Sequence, residues 1–114
     1  MLIDTTTTLP NGAHLRVRLP HGSDRAGLRA LLGRLGIDAE ELDVARALRF
    51  DPLRQTVACA SAWVEGTERL VGWGAIALGA DAPHLLLTDE ALAPGAGAVL
   101  EAALLERNAR HAAA

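Results

Sequence analysis

Two glycines two positions apart, Gly95 and Gly97, stand at the head of an alanine-rich stretch in LTDEALAPGAGAVL. Upstream lie three consecutive leucines, Leu85, Leu86 and Leu87, followed by Thr88 and Asp89. An apolar strand, a glycine loop and a helix start in this order are a common way to hold a phosphate. The glycines let backbone N–H groups converge on the anion, and the helix N-terminus adds partial positive charge. The same two glycines would also serve a tight turn with close strand–helix approach and no ligand at all. A dinucleotide site fits less well: Leu100 falls where a third small residue belongs, and no acidic ribose contact follows in a second βαβ unit.

Other residues capable of chemistry are scattered. Cys59 lies in TVACASAWV, an apolar strand that should raise its pKa and make it a buried structural thiol rather than a nucleophile. His84 opens the leucine strand and is a candidate base, although a lone His there reads more simply as a surface residue. Glu65 and Glu68 are placed in a hairpin turn as solvated charges. Arg16, Arg18 and Arg49 could meet an acidic partner, but a wet strand face is the simpler reading. His14, His21 and His111 are too dispersed for a metal, and no metal site is expected.

The elements that must position these residues follow from periodicity. Ile3 to Leu9 and His14 to Leu19 read as strands joined at Pro10-Asn11-Gly12, since Asn-Gly accepts positive φ. Leu15, Val17 and Leu19 alternate with Arg16 and Arg18, one face buried and one wet. Ser23 or Asp24 caps a helix carrying Leu28, Leu31, Leu32 and Leu35, which Gly36 stops. Asp38 and Glu41 form a capping-box-like pair for a second helix with Leu42, Ala45 and Leu48, ended by Phe50-Asp51-Pro52. Thr56 to Val64 and Arg69 to Leu78 form a second hairpin, in which Gly72 and Gly74 around Trp73 point to close backbone approach or a bulge. Leu85 to Thr88 is a short strand, and a helix runs from about Gly97 to Arg110. The order is β-β-α-α-β-β-β-α in one α+β domain spanning 1–114.

That order resembles the first two-thirds of the GNAT acetyl-CoA-dependent N-acetyltransferase fold. LPNGAHLRVRLPHGSDRAGLRALLGRLG is similar to the opening of GNAT domains in bacterial protein acetyltransferases, and RALRFDP to the end of their second helix. ERLVGWGAIAL resembles the family's third strand, and LTDEALAPGAGAVL falls on its acetyl-CoA loop. The resemblance implies a truncated GNAT-like fold, a mixed, mostly antiparallel sheet with flanking helices. It also implies a cofactor site: Leu87, Thr88 and Asp89 would contact the pantetheine amides, and Ala93, Gly95, Ala96, Gly97 and Ala98 would offer backbone donors to the pyrophosphate.

Three departures weaken that site. Leu92 stands where the family's loop, Q/R-x-x-G-x-G/A, carries Gln or Arg, and Pro94 removes an N–H donor. No Arg lies between residues 70 and 106, while Asp89, Glu90 and Glu101 flank the loop. Active members continue past this helix into a strand that splays from the leucine strand, and a later helix commonly carries a Tyr that protonates the thiolate; this sequence has neither that segment nor any Tyr. Two readings follow: a degenerate binding, regulatory or subunit module with acetyl-CoA binding weak or absent, or an active N-acetyltransferase completed by oligomerisation. In both, the open side of Leu85–Thr88 is expected to pair with a second copy or another protein.

Length and composition bound the rest. At 114 residues with half of them apolar, the chain can build one core without staples. The net charge of −3 argues against nucleic acid as a main partner. One cysteine permits no internal disulfide, and no run approaches the roughly 18 apolar residues that span a bilayer. The N-terminus lacks a basic region followed by an apolar run, so a cytoplasmic protein with no membrane contact is expected.

Overall fold

The computed structural model describes residues 4–38 and 44–113. Its elements are β1 (Asp4–Thr8), β2 (His14–Arg18), α1 (Arg25–Arg34), α2 (Val44–Leu48), β3 (Gln55–Val64), β4 (Thr67–Ala77), β5 (Leu85–Thr88) and α3 (Ala96–Ala113). The element order is the expected one. The five strands form one sheet in the order β1-β2-β3-β4-β5, and every pair is antiparallel, so no parallel pair enters it among the described residues. The architecture is α+β; the mixed sheet expected from the resemblance is not what forms.

Local chemistry explains the boundaries. In the first turn Gly12 takes a φ of 86°, and Asn11 Oδ1 accepts the Ala13 N–H at 3.0 Å. The second hairpin is tighter than its sequence suggests. Glu65 and Gly66 alone make the turn, with φ of 51° and 78°, which is the double positive-φ pattern of a type I′ hairpin. Glu68 therefore sits on β4 and not in the turn. A single 3₁₀ turn, Gly22–Asp24, precedes α1. Asp24 takes the N-cap position of α1, but its side chain bonds no N–H of that helix; its Oδ2 instead accepts the His21 N–H at 2.7 Å, back across the 3₁₀ turn. Glu41 and Leu42, assigned to the second helix start, lie outside the described residues.

The sheet divides the core into two layers. Val57 and Cys59 face α1 and α2, joining Leu28, Leu31, Leu32, Val44 and Trp73. Ala58, Ala60 and Ala62 face the other way and meet Leu100 and Leu104 of α3. On this face β3 and β4 present Ala58, Ala60, Ala62, Gly72 and Gly74, which lets the helix come close. A Cβ on Gly72 would lie 3.1 Å from Leu100 Cδ2, and one on Gly74 would lie 2.7 Å from Leu104 Cδ1. The spacing that flags these glycines thus reports helix-to-sheet contact.

A bulge interrupts β4. Ala60 pairs with Gly72 but Ser61 pairs with Leu70, leaving Val71 as the extra residue. Val71 and Gly72 consequently face α3 together, while Leu70 and Trp73, three apart, share the α1 side. Strict alternation would have put Leu70 and Trp73 on opposite faces.

Candidate functional site

The glycine loop runs from the end of β5 into α3 and is anchored at the β4 bulge. The Asp89 N–H donates to the bulged Val71 carbonyl at 2.8 Å. One residue earlier, the Leu70 carbonyl accepts from Arg34 Nη2 at 2.6 Å, and Arg34 Nε donates to Asp89 Oδ2 at 2.7 Å. Arg34, the last residue of α1, therefore crosses to the loop and closes a triangle of bulge, strand end and helix end. Asp89 is 7 % exposed. Burial alone would raise its pKa, but the Arg34 guanidinium and the Leu92 and Ala91 N–H groups outweigh this and hold it below the ordinary carboxylate range.

Beyond Asp89 the loop spends its donors on itself. Leu92 N–H bonds Asp89 Oδ1 at 3.2 Å, Ala93 N–H bonds the Asp89 carbonyl at 3.0 Å, and Ala96 N–H bonds the Ala93 carbonyl at 3.0 Å. Gly97, in the first turn of α3, donates to Glu90 Oε2 at 3.1 Å. A carboxylate of the chain itself thus sits at the helix N-terminus, where an anionic ligand would find its donors. Gly95 turns with a φ of 93°, and a Cβ there would meet Pro10 of the β1–β2 turn at 3.5 Å. The turn of the first hairpin covers that side of the loop.

Each residue assigned to a cofactor has a definite place. Leu87 pairs with Trp73 across β4 and contributes to the α1-side core, and Thr88 pairs with Gly72. Asp89 is committed to Arg34. Of the five backbone donors, Ala93, Ala96 and Gly97 bond within the chain, Gly95 makes the turn, and Ala98 is an exposed residue of the first turn of α3. Leu92, the departure from the family's polar residue, is half-buried against the α3-side core. A pyrophosphate does not fit these residues as they stand: it would have to displace Glu90 and then lie beside its charge.

A second cluster, on the α1 face, was not legible as a unit in the sequence. Arg18 forms a two-pronged pair with Asp24, Nη1 to Oδ2 at 2.8 Å and Nη2 to Oδ1 at 2.7 Å, and Nη1 also lies 3.3 Å from Cys59 Sγ. Ser61 Oγ donates to Glu68 Oε1 at 2.7 Å beside them, and Arg18, Asp24, Ser61 and Glu68 line a hollow of about 180 Å³, with Cys59 buried beneath. Ser61 has a carboxylate but no imidazole for activation, so the cluster lacks a nucleophile–base pair. Burial pushes the Cys59 thiol up to about 12 against the opposing pull of Arg18. Arg16 pairs with Asp4 at 2.9 Å on the exposed face. Sequence spacing of six between Arg18 and Asp24 gives no helical or strand signal, because the pair closes across the 3₁₀ turn. Among the described residues no cluster of His, Cys, Asp and Glu is arranged to hold a metal, and no helix is long and apolar enough to cross a membrane.

No protein-family model, curated protein or solved structure matches the chain.

Proposed function

We propose that the chain is a degenerate GNAT-like domain that works by binding a protein, not by transferring an acyl group. The element order, the glycine loop leading into a helix, and the resemblance of its motifs support the family. The observation that carries the non-catalytic reading is the Glu90 carboxylate on the Gly97 N–H. A carboxylate in that position competes with a pyrophosphate for the same donor and repels it by like charge. The reading makes β5 the binding element, because it ends the sheet and exposes Leu86 to 37 %.

One observation favours the alternative, an acetyl-CoA-dependent N-acetyltransferase: β5 ends the sheet among the described residues, and its open side is where a further strand could form the wall of a cofactor cleft. Calorimetric titration with acetyl-CoA separates the two. The expected outcome is no saturable binding to the wild type at about 100 µM protein. Glu90→Ala, which frees the Gly97 donor, should raise affinity for CoA several-fold, about the 1 kcal/mol that a charge at a helix N-terminus carries. A dissociation constant in the low micromolar range for the wild type, about −8 kcal/mol, would establish the enzyme reading instead.

A further inference from the structure

At the end of the sheet away from the glycine loop, β3 runs on past its neighbour. β2 pairs with Cys59 to Ala62 only, so Gln55 to Ala58 extend beyond the end of β2. Phe50 and Pro52, leading into β3, form one wall of the notch this leaves, Leu19 another, and Arg107 of α3 reaches in from the opposite layer. The result is an open cavity of about 310 Å³ lined by Leu19, Phe50, Pro52, Gln55, Thr56 and Arg107. Register separates it from the loop: Gln55 pairs with Ala77 at the end of β4, whereas Thr88 pairs with Gly72 in the middle of that strand.

The lining divides by chemistry. Leu19, Phe50 and Pro52 give an apolar body, while Arg107 gives a positive charge and Gln55 and Thr56 give neutral donors. The Arg107 guanidinium has no hydrogen-bond or ion-pair partner among the described residues, in contrast to Arg16, Arg18 and Arg34. A guanidinium at an apolar cavity without a carboxylate of its own is complementary to one supplied from outside. At about 30 Å³ for a water-sized group, the cavity holds about ten non-hydrogen atoms, near the lower end of small-molecule sites.

We propose that this cavity binds a small amphipathic carboxylate, with its hydrocarbon portion between Leu19, Phe50 and Pro52 and its carboxylate on Arg107, assisted by the Thr56 hydroxyl, which shares the α3 side of β3. The site is independent of the glycine loop and of the reading given to it.

Octanoate, with ten non-hydrogen atoms, is the probe, and 1-octanol is the uncharged control. Titrations followed by calorimetry and by amide chemical shifts should show octanoate binding roughly tenfold or more tightly than octanol, the factor a charge-assisted hydrogen bond carries. Shifts should concentrate at Phe50, Gln55 and Thr56. Arg107→Gln should reduce octanoate to the level of octanol while leaving octanol unchanged, which also shows that the variant is folded. Arg107→Lys should retain part of the preference. Equal binding of acid and alcohol, an octanoate affinity unaffected by Arg107→Gln, shifts centred on the Gly95 loop, or no saturation at millimolar octanoate would each overturn the proposal.

Discussion

Asp89 joins three elements: its carboxylate holds Arg34 of α1 and the Leu92 N–H of the loop, and its own N–H bonds the bulge carbonyl of β4. Its folded pKa is depressed, so the stability it contributes is present above the unfolded value of about 3.9 and is lost as pH falls through the folded value. Asp24, held down by Arg18 and the His21 N–H against the effect of burial, acts in the same direction. Asp89→Asn should therefore destabilise the protein by about 2–3 kcal/mol at neutral pH, since it strands Arg34 without a counter-charge. Urea denaturation at pH 7 and again near pH 3 checks the sign: the gap between variant and wild type should narrow in acid. An equal gap at both pH values would mean that Asp89 acts by shape and not by charge. Cys59 behaves oppositely. Its thiol, pushed up to about 12, should resist a disulfide reagent in the folded protein at pH 8 and react promptly in urea. Rapid labelling without denaturant would contradict the burial assigned to it.

The bulge and the small-residue face belong to the scale of elements, where the sequence is partly transparent. Strand and helix identities follow from periodicity because Leu28, Leu31 and Leu32 bury one helical stripe and Leu15 and Val17 bury one strand face. The glycines around Trp73 mark a bulge or close approach there, but periodicity does not say that Val71 is the extra residue, because nothing in its type sets it apart. It also does not carry the Glu90 bond to Gly97, which joins residues seven apart through a turn. Arg34 is the sharpest case: no arginine is near the loop in sequence, yet α1 delivers one from 55 residues away. The glycines are legible as close approach, and the structure says what approaches. Gly74→Ala places a methyl 2.7 Å from Leu104 Cδ1 and 3.3 Å from Leu86 Cδ1. Leu104 is fully buried and cannot swing away, so α3 must lift, at about 1–3 kcal/mol. Thermal denaturation of the variant measures this; a melting temperature equal to the wild type would show that the helix rides loosely on the sheet.

At the scale of the molecule the two sheet edges are unlike. β1 is a run of threonines, all exposed, with Asp4 paired to Arg16, a polar edge that offers a neighbour little apolar area to bury. β5 is Leu85–Thr88, with Leu86 exposed to 37 %, and no Lys or Arg occurs between residues 70 and 106 to blunt it. The two polar residues that flank it protect it poorly. His84 extends the ladder through its N–H to the Ala75 carbonyl, and Asp89 is turned inward to Arg34 and withheld from solvent. An antiparallel pairing of β5 with β5 of a second copy would satisfy both free edges by one two-fold operation and continue the sheet across the pair. Light scattering of the wild type at micromolar concentration should accordingly give the mass of a dimer. Leu86→Lys should return it to a monomer, because each edge would then carry a lysine charge into the ladder that has to form. The folded monomer should survive that change, since the Leu86 side chain is partly exposed and the charge can reach water. Protection of the Leu86 amide from hydrogen exchange, present in the wild type and absent in Leu86→Lys, ties the loss of mass to this strand. A wild type that is monomeric with a freely exchanging Leu86 amide rejects the self-paired form, and a dimer that persists in Leu86→Lys puts the interface on another surface.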